Sequence, residues 1–199
     1  MLIVSSIDKS ARKVKARGMQ KFGSNRGVGG VDYRMENERE NKSDFTKTAF
    51  YCVFCVIICL LVGYISKDLQ TQSLEQWYPT LEKSALTPPQ YVFPIVWGAL
   101  YILSGLSVGL VLASDKSGKW FAVLAFCGQL AANFLWSFLF FGLQTPSFAL
   151  IDCAALLALS IVYMRSAAEV SKIAGVLFFP YVVWCAFATY LNLYIAIFN

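Results

Sequence analysis

Five stretches of this chain, residues 49–65, 91–113, 120–142, 147–163 and 173–198, hold a single charged side chain between them, Asp152. A helix needs about 17–25 apolar residues to cross the hydrocarbon of a bilayer. Hydrocarbon offers no hydrogen bonds to the backbone, so a spanning segment must satisfy its own, as a helix does. A soluble domain of this size hides only part of its apolar surface. Here 57% of 199 residues are apolar and 15% are charged, against about 25% charged in a typical soluble domain. The expected fold is an all-α integral membrane protein, a five-transmembrane-helix bundle over residues 49–199, behind a basic N-terminal extension over residues 1–48.

Charge is concentrated in that extension. Residues 1–30 carry seven Lys/Arg against Asp8 and sum to +6, residues 31–48 sum to −1, and residues 49–199 sum to zero. Beside membrane helices, an anionic leaflet is a closer partner for such a tail than nucleic acid. Ile3, Ile7, Ala11 and Val14 recur at helical spacing among basic residues, the pattern of an amphipathic surface helix. The segment is also acid-poor in the manner of a transit peptide. Gly23 to Gly30 reads as a flexible linker, a disordered tail is the plain alternative, and Met35 is a second possible start.

The connections are short except for one. Residues 66–89 form the expected long loop, with Trp77-Tyr78, Lys83 and the consecutive Pro88-Pro89, which forbid helix there. Pro94 falls in the first turn of the second span, where proline is tolerated. Three residues, 143–145, make the third and fourth spans antiparallel neighbours. Pro180 lies within the fifth span, where it frees a carbonyl and favours a kink. Fifteen of the seventeen Lys/Arg lie on the side of the N-terminus, which the positive-inside rule places in the cytoplasm.

No histidine is present. That removes the commonest transition-metal ligand and the usual proton shuttle. Nothing has the spacing of a catalytic or metal site, so no catalytic residue and no required cofactor are expected. All six cysteines lie in apolar runs. Cys52-x-x-Cys55 has redox spacing but sits inside a span, and is read as small apolar filler.

Polar groups in a bilayer are costly and need a reason. Gln129, Asn133, Trp136 and Phe140 form one stripe on the third helix. It should face the interior, for interhelical hydrogen bonds, for a ligand, or for both. Beside it, Ala125, Gly128 and Ala132 make a small-residue seam, suited to intramolecular packing or a homodimer. Asp152 is placed either by the fourth helix's N-terminal dipole or in a polar cavity. Trp97 and Tyr101 share a face of the second helix; Trp184, Ala188, Leu191 and Asn192 share one of the fifth. Trp77 and Trp120 read as interfacial anchors. Such a set of rings could enclose a flat apolar ligand.

Four ordered blocks carry a resemblance. They are Trp77-Tyr78…Lys83…Pro88-Pro89-x-Tyr91-Val92-Phe93-Pro94-x-Val96-Trp97-x-x-Leu100-Tyr101; Gly128-Gln129-Leu130-x-x-Asn133-x-x-Trp136-Ser137-x-x-Phe140-Phe141-Gly142; Ala149-Leu150-Ile151-Asp152; and Pro180-Tyr181-x-x-Trp184-x-x-Phe187-Ala188-Thr189-x-Leu191-Asn192. Together they resemble the TspO/MBR family, the tryptophan-rich sensory proteins and translocator proteins, over residues 75–199. The resemblance implies a five-helix bundle, a homodimer seamed at Ala125, Gly128 and Ala132, and a cavity for porphyrins or other flat hydrophobic ligands. It implies a lining of Trp97, Tyr101, Asn133, Trp136, Phe148, Trp184, Ala188 and Leu191, with Pro88, Pro89 and Tyr91 as a loop gate. It implies a multi-pass protein of a bacterial cell membrane or, in a eukaryote, of a mitochondrial or other organellar membrane.

Departures narrow the expectation. Ser84 and Leu86 stand where the family often has proline and tryptophan. Leu193 replaces the tyrosine of the cholesterol-recognition segment of animal members, and no basic residue follows it. Without histidine, axial histidine ligation of haem iron is impossible, which favours metal-free porphyrin. Porphyrin transport or sensing is the leading expectation. Light-dependent porphyrin degradation through nearby indoles is a second, and a structural membrane partner with a lipid-filled cavity a third.

Overall fold

The computed structural model describes residues 29–199, which divide into two units between residues 45 and 46. The second is the subject below. The amphipathic pattern of Ile3–Val14 and most of the expected linker at 23–30 lie outside the described residues.

Five long helices account for the expected spans: α1 (Gly29–Gln76), α2 (Val92–Ala113), α3 (Lys119–Ser137), α4 (Pro146–Val170) and α5 (Lys172–Phe198). Five stretches among the described residues are long and apolar enough to cross a membrane, and no strand occurs among them.

Three boundaries differ from the expectation. α1 begins at Gly29 and so takes in residues 29–48, expected as part of the N-terminal extension. α1 does not stop at residue 65 but continues to Gln76. Residues 66–76 are polar, yet they contain no glycine or proline and are rich in Gln, Leu, Lys and Glu, which favour helix; apolarity marks the bilayer, not the helix. The long loop is correspondingly shorter, with a 3₁₀ turn at Tyr78–Thr80. Likewise α4 runs through residues 164–170, expected as loop, and only Ser171 separates it from α5. There the Ser171 hydroxyl caps α5 by accepting from Ala174 N. Pro180 is accommodated inside the continuous helix α5.

The ring of helices follows from their neighbours. α4 packs most extensively on α5 and α3, and α2 on α5 and, less, on α3. α1 closes the ring between α2 and α3. On the α2 side the approach is backbone to backbone. A Cβ added at Gly105 would lie 2.5 Å from the Val56 Cα, and one at Gly109 would lie 2.5 Å from the Cys52 Cα. Gly105-x-x-x-Gly109 is therefore the tight seam of this fold, the spacing that lets membrane helices touch. One turn further, the Tyr101 ring lies over Gly63. On the α3 side, Gln70 Nε2 donates to Ser137 Oγ at 3.0 Å, and Ser73 Oγ donates to the Phe141 carbonyl.

At the opposite end the core is held by a serine. Ser107 Oγ donates to the Ala174 carbonyl at 2.8 Å, so its bond with Tyr163 Oη, also 2.8 Å, must be one in which the tyrosine donates. Around that pair Phe126, Tyr163, Phe178 and Tyr181 interlock edge-to-face and stacked. At this end, too, Lys47 and Asp115 form an exposed ion pair at 3.2 Å.

Candidate ligand cavity between the helices

The third-helix stripe faces inward. Gln129, Asn133 and Phe140 are all but fully buried and Trp136 is half-buried. Asn133 Oδ1 accepts from Tyr101 Oη at 2.6 Å, which joins α3 to α2. Trp136 Nε1 donates to Asn192 Oδ1 at 2.9 Å, and Asn192 Nδ2 donates to the Pro146 carbonyl at 2.8 Å. One amide thus ties α3, α4 and α5. Buried polar atoms are usually paired in this manner.

After Ser137 the helix widens into a π turn over Phe138–Gly142, closed by Leu143 N donating to the Phe138 carbonyl at 2.8 Å. A π turn shifts the helical phase, and here it turns two consecutive rings, Phe140 and Phe141, inward. Trp136 stacks on Phe140 at 5.2 Å and 22°. Trp77 meets Phe140 edge-on at 5.4 Å, so it packs into the bundle end and is not an anchor at the lipid surface. Trp120, 65% exposed, does stand outward, with Lys119 Nζ 5.4 Å from its ring.

Between these elements lies a cavity lined by Trp97, Trp136, Cys153, Leu156, Cys185 and Ala188. Its free room is about 10 Å³, close to that of one water molecule, whereas pockets for drug-sized ligands are typically about 300–1,000 Å³, so a larger guest must push the walls apart. Trp97 rests against Tyr101 at 5.7 Å and against the edge of Tyr181 at 5.9 Å.

Of the residues that sequence singled out, Trp97, Trp136 and Ala188 line the cavity, and Tyr101 and Asn133 bond to each other in the core. Leu191 is buried, and Trp184 is half-buried against Phe93, its indole N–H unpaired. Phe148 stands apart, 64% exposed, next to the equally outward Ile151 on α4. In the seam, Ala125 is buried against the core, while Gly128 and Ala132 are half-buried, and Gly128 looks toward Leu159 of α4. Asp152 is half-buried with Oδ2 unpaired. The lining also takes in Cys153, Leu156 and Cys185, apolar-run residues that hydropathy does not distinguish from their neighbours; the one-turn spacing of Cys153 and Leu156 on α4 is the signal the sequence offers.

The loop closes the bundle end beside Trp77. Lys83 Nζ donates to the carbonyls of Tyr78 and Leu81, both at 2.8 Å, and of Pro79 at 3.4 Å, and sits 4.9 Å from the Tyr78 ring. Burial there pushes the Tyr78 hydroxyl above its ordinary pKa. Ser84, in place of the expected proline, hydrogen-bonds Tyr190 of α5 at 2.9 Å. Asn199 exchanges two hydrogen bonds with the backbone of Glu82. Among the gate residues, Pro88 is half-buried, while Pro89 and Tyr91 are exposed.

Residues 55–198 match the model of the TspO/MBR family. The chain belongs to the TspO/MBR family. Among relatives of this TspO/MBR protein, the tryptophan-rich protein TspO of Chlorobaculum tepidum is 36% identical over 140 residues, which cover 69% of this chain and 89% of the relative. A protein of the same description from Archaeoglobus fulgidus is 35% identical over 153 residues, covering 74% and 95%. The human translocator protein is 34% identical over 120 residues, covering 59% and 71%. The family thus extends from bacterial and archaeal to mammalian proteins, and this member is a multi-pass membrane protein.

Proposed function

We propose that the cavity between Trp97 and Trp136 binds porphyrins, or similar flat tetrapyrroles, and that the protein acts in their transport or sensing. The observation that carries this reading is the pair of indoles on one apolar cavity, each held from behind. Trp136 is fixed by Asn192, and Trp97 leans on Tyr101, itself fixed by Asn133. Indole faces stack on planar π-systems at little entropic cost. The Trp136 N–H is already taken by Asn192, and most of the lining is apolar.

Quenching of tryptophan fluorescence by metal-free protoporphyrin in detergent tests the reading. Saturable quenching is expected, weakened in Trp97→Phe/Trp136→Phe and read from the remaining indoles. Linear quenching, equal in both proteins, would mean partition into micelles and would leave the cavity to lipid.

A further inference from the structure

The hydrogen bonds that tie the helices together leave four buried polar side chains over. Ser104 of α2, Gln129 of α3, Ser160 of α4 and Tyr181 of α5 are 2%, 0%, 0% and 1% exposed. Ser104 Oγ, Ser160 Oγ, Tyr181 Oη and both polar atoms of the Gln129 amide find no hydrogen-bond partner among the described residues. Buried polar atoms are ordinarily paired, and each exception needs a reason. Within a membrane span the need is greater, since lipid supplies no partner.

Helix register brings the four to one level. Tyr163 of α4 fixes a layer of anchors: it meets Phe126 of α3 edge-on at 5.0 Å, meets Phe178 of α5 edge-on at 4.5 Å, and donates to Ser107 of α2 at 2.8 Å. Three residues from each anchor, on the same helix face, stand Ser160, Gln129, Tyr181 and Ser104. All four steps run the same way through the bundle, because α2 and α4 are followed backwards and the antiparallel α3 and α5 forwards. Each step rises about 4.5 Å. One turn beyond, Tyr101 of α2 bonds Asn133 of α3, and Leu156 of α4 and Cys185 of α5 share the cavity wall. The four side chains therefore form a polar layer across the bundle, between the Ser107–Tyr163 bond and the cavity.

The chemistry of the layer selects its occupant. Each hydroxyl can donate one hydrogen and also accept, and the amide brings two donors and an acceptor oxygen. None of the four carries a charge that would offset the burial of an ion. A neutral molecule that both donates and accepts suits such a set, and a buried water takes two to four polar partners. We propose that the layer is a hydration site, in which ordered water bridges Ser104, Gln129, Ser160 and Tyr181 and so joins α2, α3, α4 and α5. This water belongs to the protein at rest, whatever guest the cavity takes.

Two measurements on the full chain test the site. A crystal structure at a resolution that shows ordered water should place water within hydrogen-bond distance of at least two of the four side chains. A dry layer, or Gln129 bonded directly to Ser104 or Ser160 with no water between, overturns the proposal. Thermal unfolding in one detergent gives a second reading by its sign. A side chain bonded to water contributes to stability, so Gln129→Met, Ser160→Ala and Tyr181→Phe should each lower the midpoint by about 2–4 °C. The triple variant should fall by less than the three singles together, because removing every partner of a bond is milder than stranding one. A side chain buried without any partner costs stability, so the same replacements would then raise the midpoint; a rise in all three overturns the hydration site. Circular dichroism of each variant shows that the helices are intact before heating.

Discussion

Replacing Gly105 by alanine tests the seam between α1 and α2 directly. The new Cβ would lie 2.5 Å from the Val56 Cα, about 0.9 Å inside the 3.4 Å at which ordinary contact begins. The obstacle is backbone, so no rotamer change relieves it and α1 must move. Overpacking of this kind costs about 1–3 kcal/mol. Against it stands the preference of a helix for alanine over glycine, about 1 kcal/mol. Gly98, on the same helix, has nothing within 4 Å of an added Cβ; Gly98→Ala therefore carries the preference alone and should stabilise the protein. The difference between the two variants isolates the seam: Gly105→Ala should be less stable than Gly98→Ala by about 1–3 kcal/mol, or about 2–4 °C in midpoint for each kcal/mol. Thermal unfolding in one detergent, followed by circular dichroism, measures it. Adding Gly109→Ala should cost less than on its own, because one displacement of α1 serves both positions. A Gly105→Ala protein as stable as Gly98→Ala would refute the close crossing.

Two further outcomes follow from side-chain hydrogen bonds. Tyr101→Phe strands the buried Asn133 Oδ1 and should destabilise the protein by about 1–3 kcal/mol, while Asn133→Leu added to it should restore part of that, because removing both partners is milder than removing one; chemical unfolding of the single and double variants checks this. Lys83→Met removes an ammonium that bonds three loop carbonyls and should lower local stability by about 1.5–3 kcal/mol, seen as faster protease cleavage between residues 78 and 91 with the global midpoint little changed.

What was legible in the sequence was what the bilayer dictates. The five spans and the inward stripe from Gln129 to Phe140 follow from hydropathy and helical phase. The polar extension of α1 to Gln76 was not legible, because a helix that leaves the membrane no longer shows the apolar signal. The tighter Gly105-x-x-x-Gly109 is equally present in the sequence, but small residues are common in spans and the spacing alone does not show which pair meets a neighbouring backbone. The bond between Trp136 and Asn192 joins positions 56 residues apart, and only the assembled ring of helices brings them together. Phe148 illustrates the limit of resemblance: it starts α4 three residues before Ile151, on the outward phase of the helix.

The narrowness of the cavity has a consequence for every ligand it might take. A guest larger than about one water molecule meets a protein whose open form is a minor population, and its apparent affinity is the intrinsic affinity reduced by that population. The hydrogen bonds and ring contacts that hold the empty bundle shut therefore oppose binding, and association is slowed by the waiting time for opening. Trimming Leu156, a buried side chain of the cavity wall, would weaken the fold and tighten the complex at once. In this molecule rigidity at rest and affinity for a guest draw on the same contacts with opposite sign.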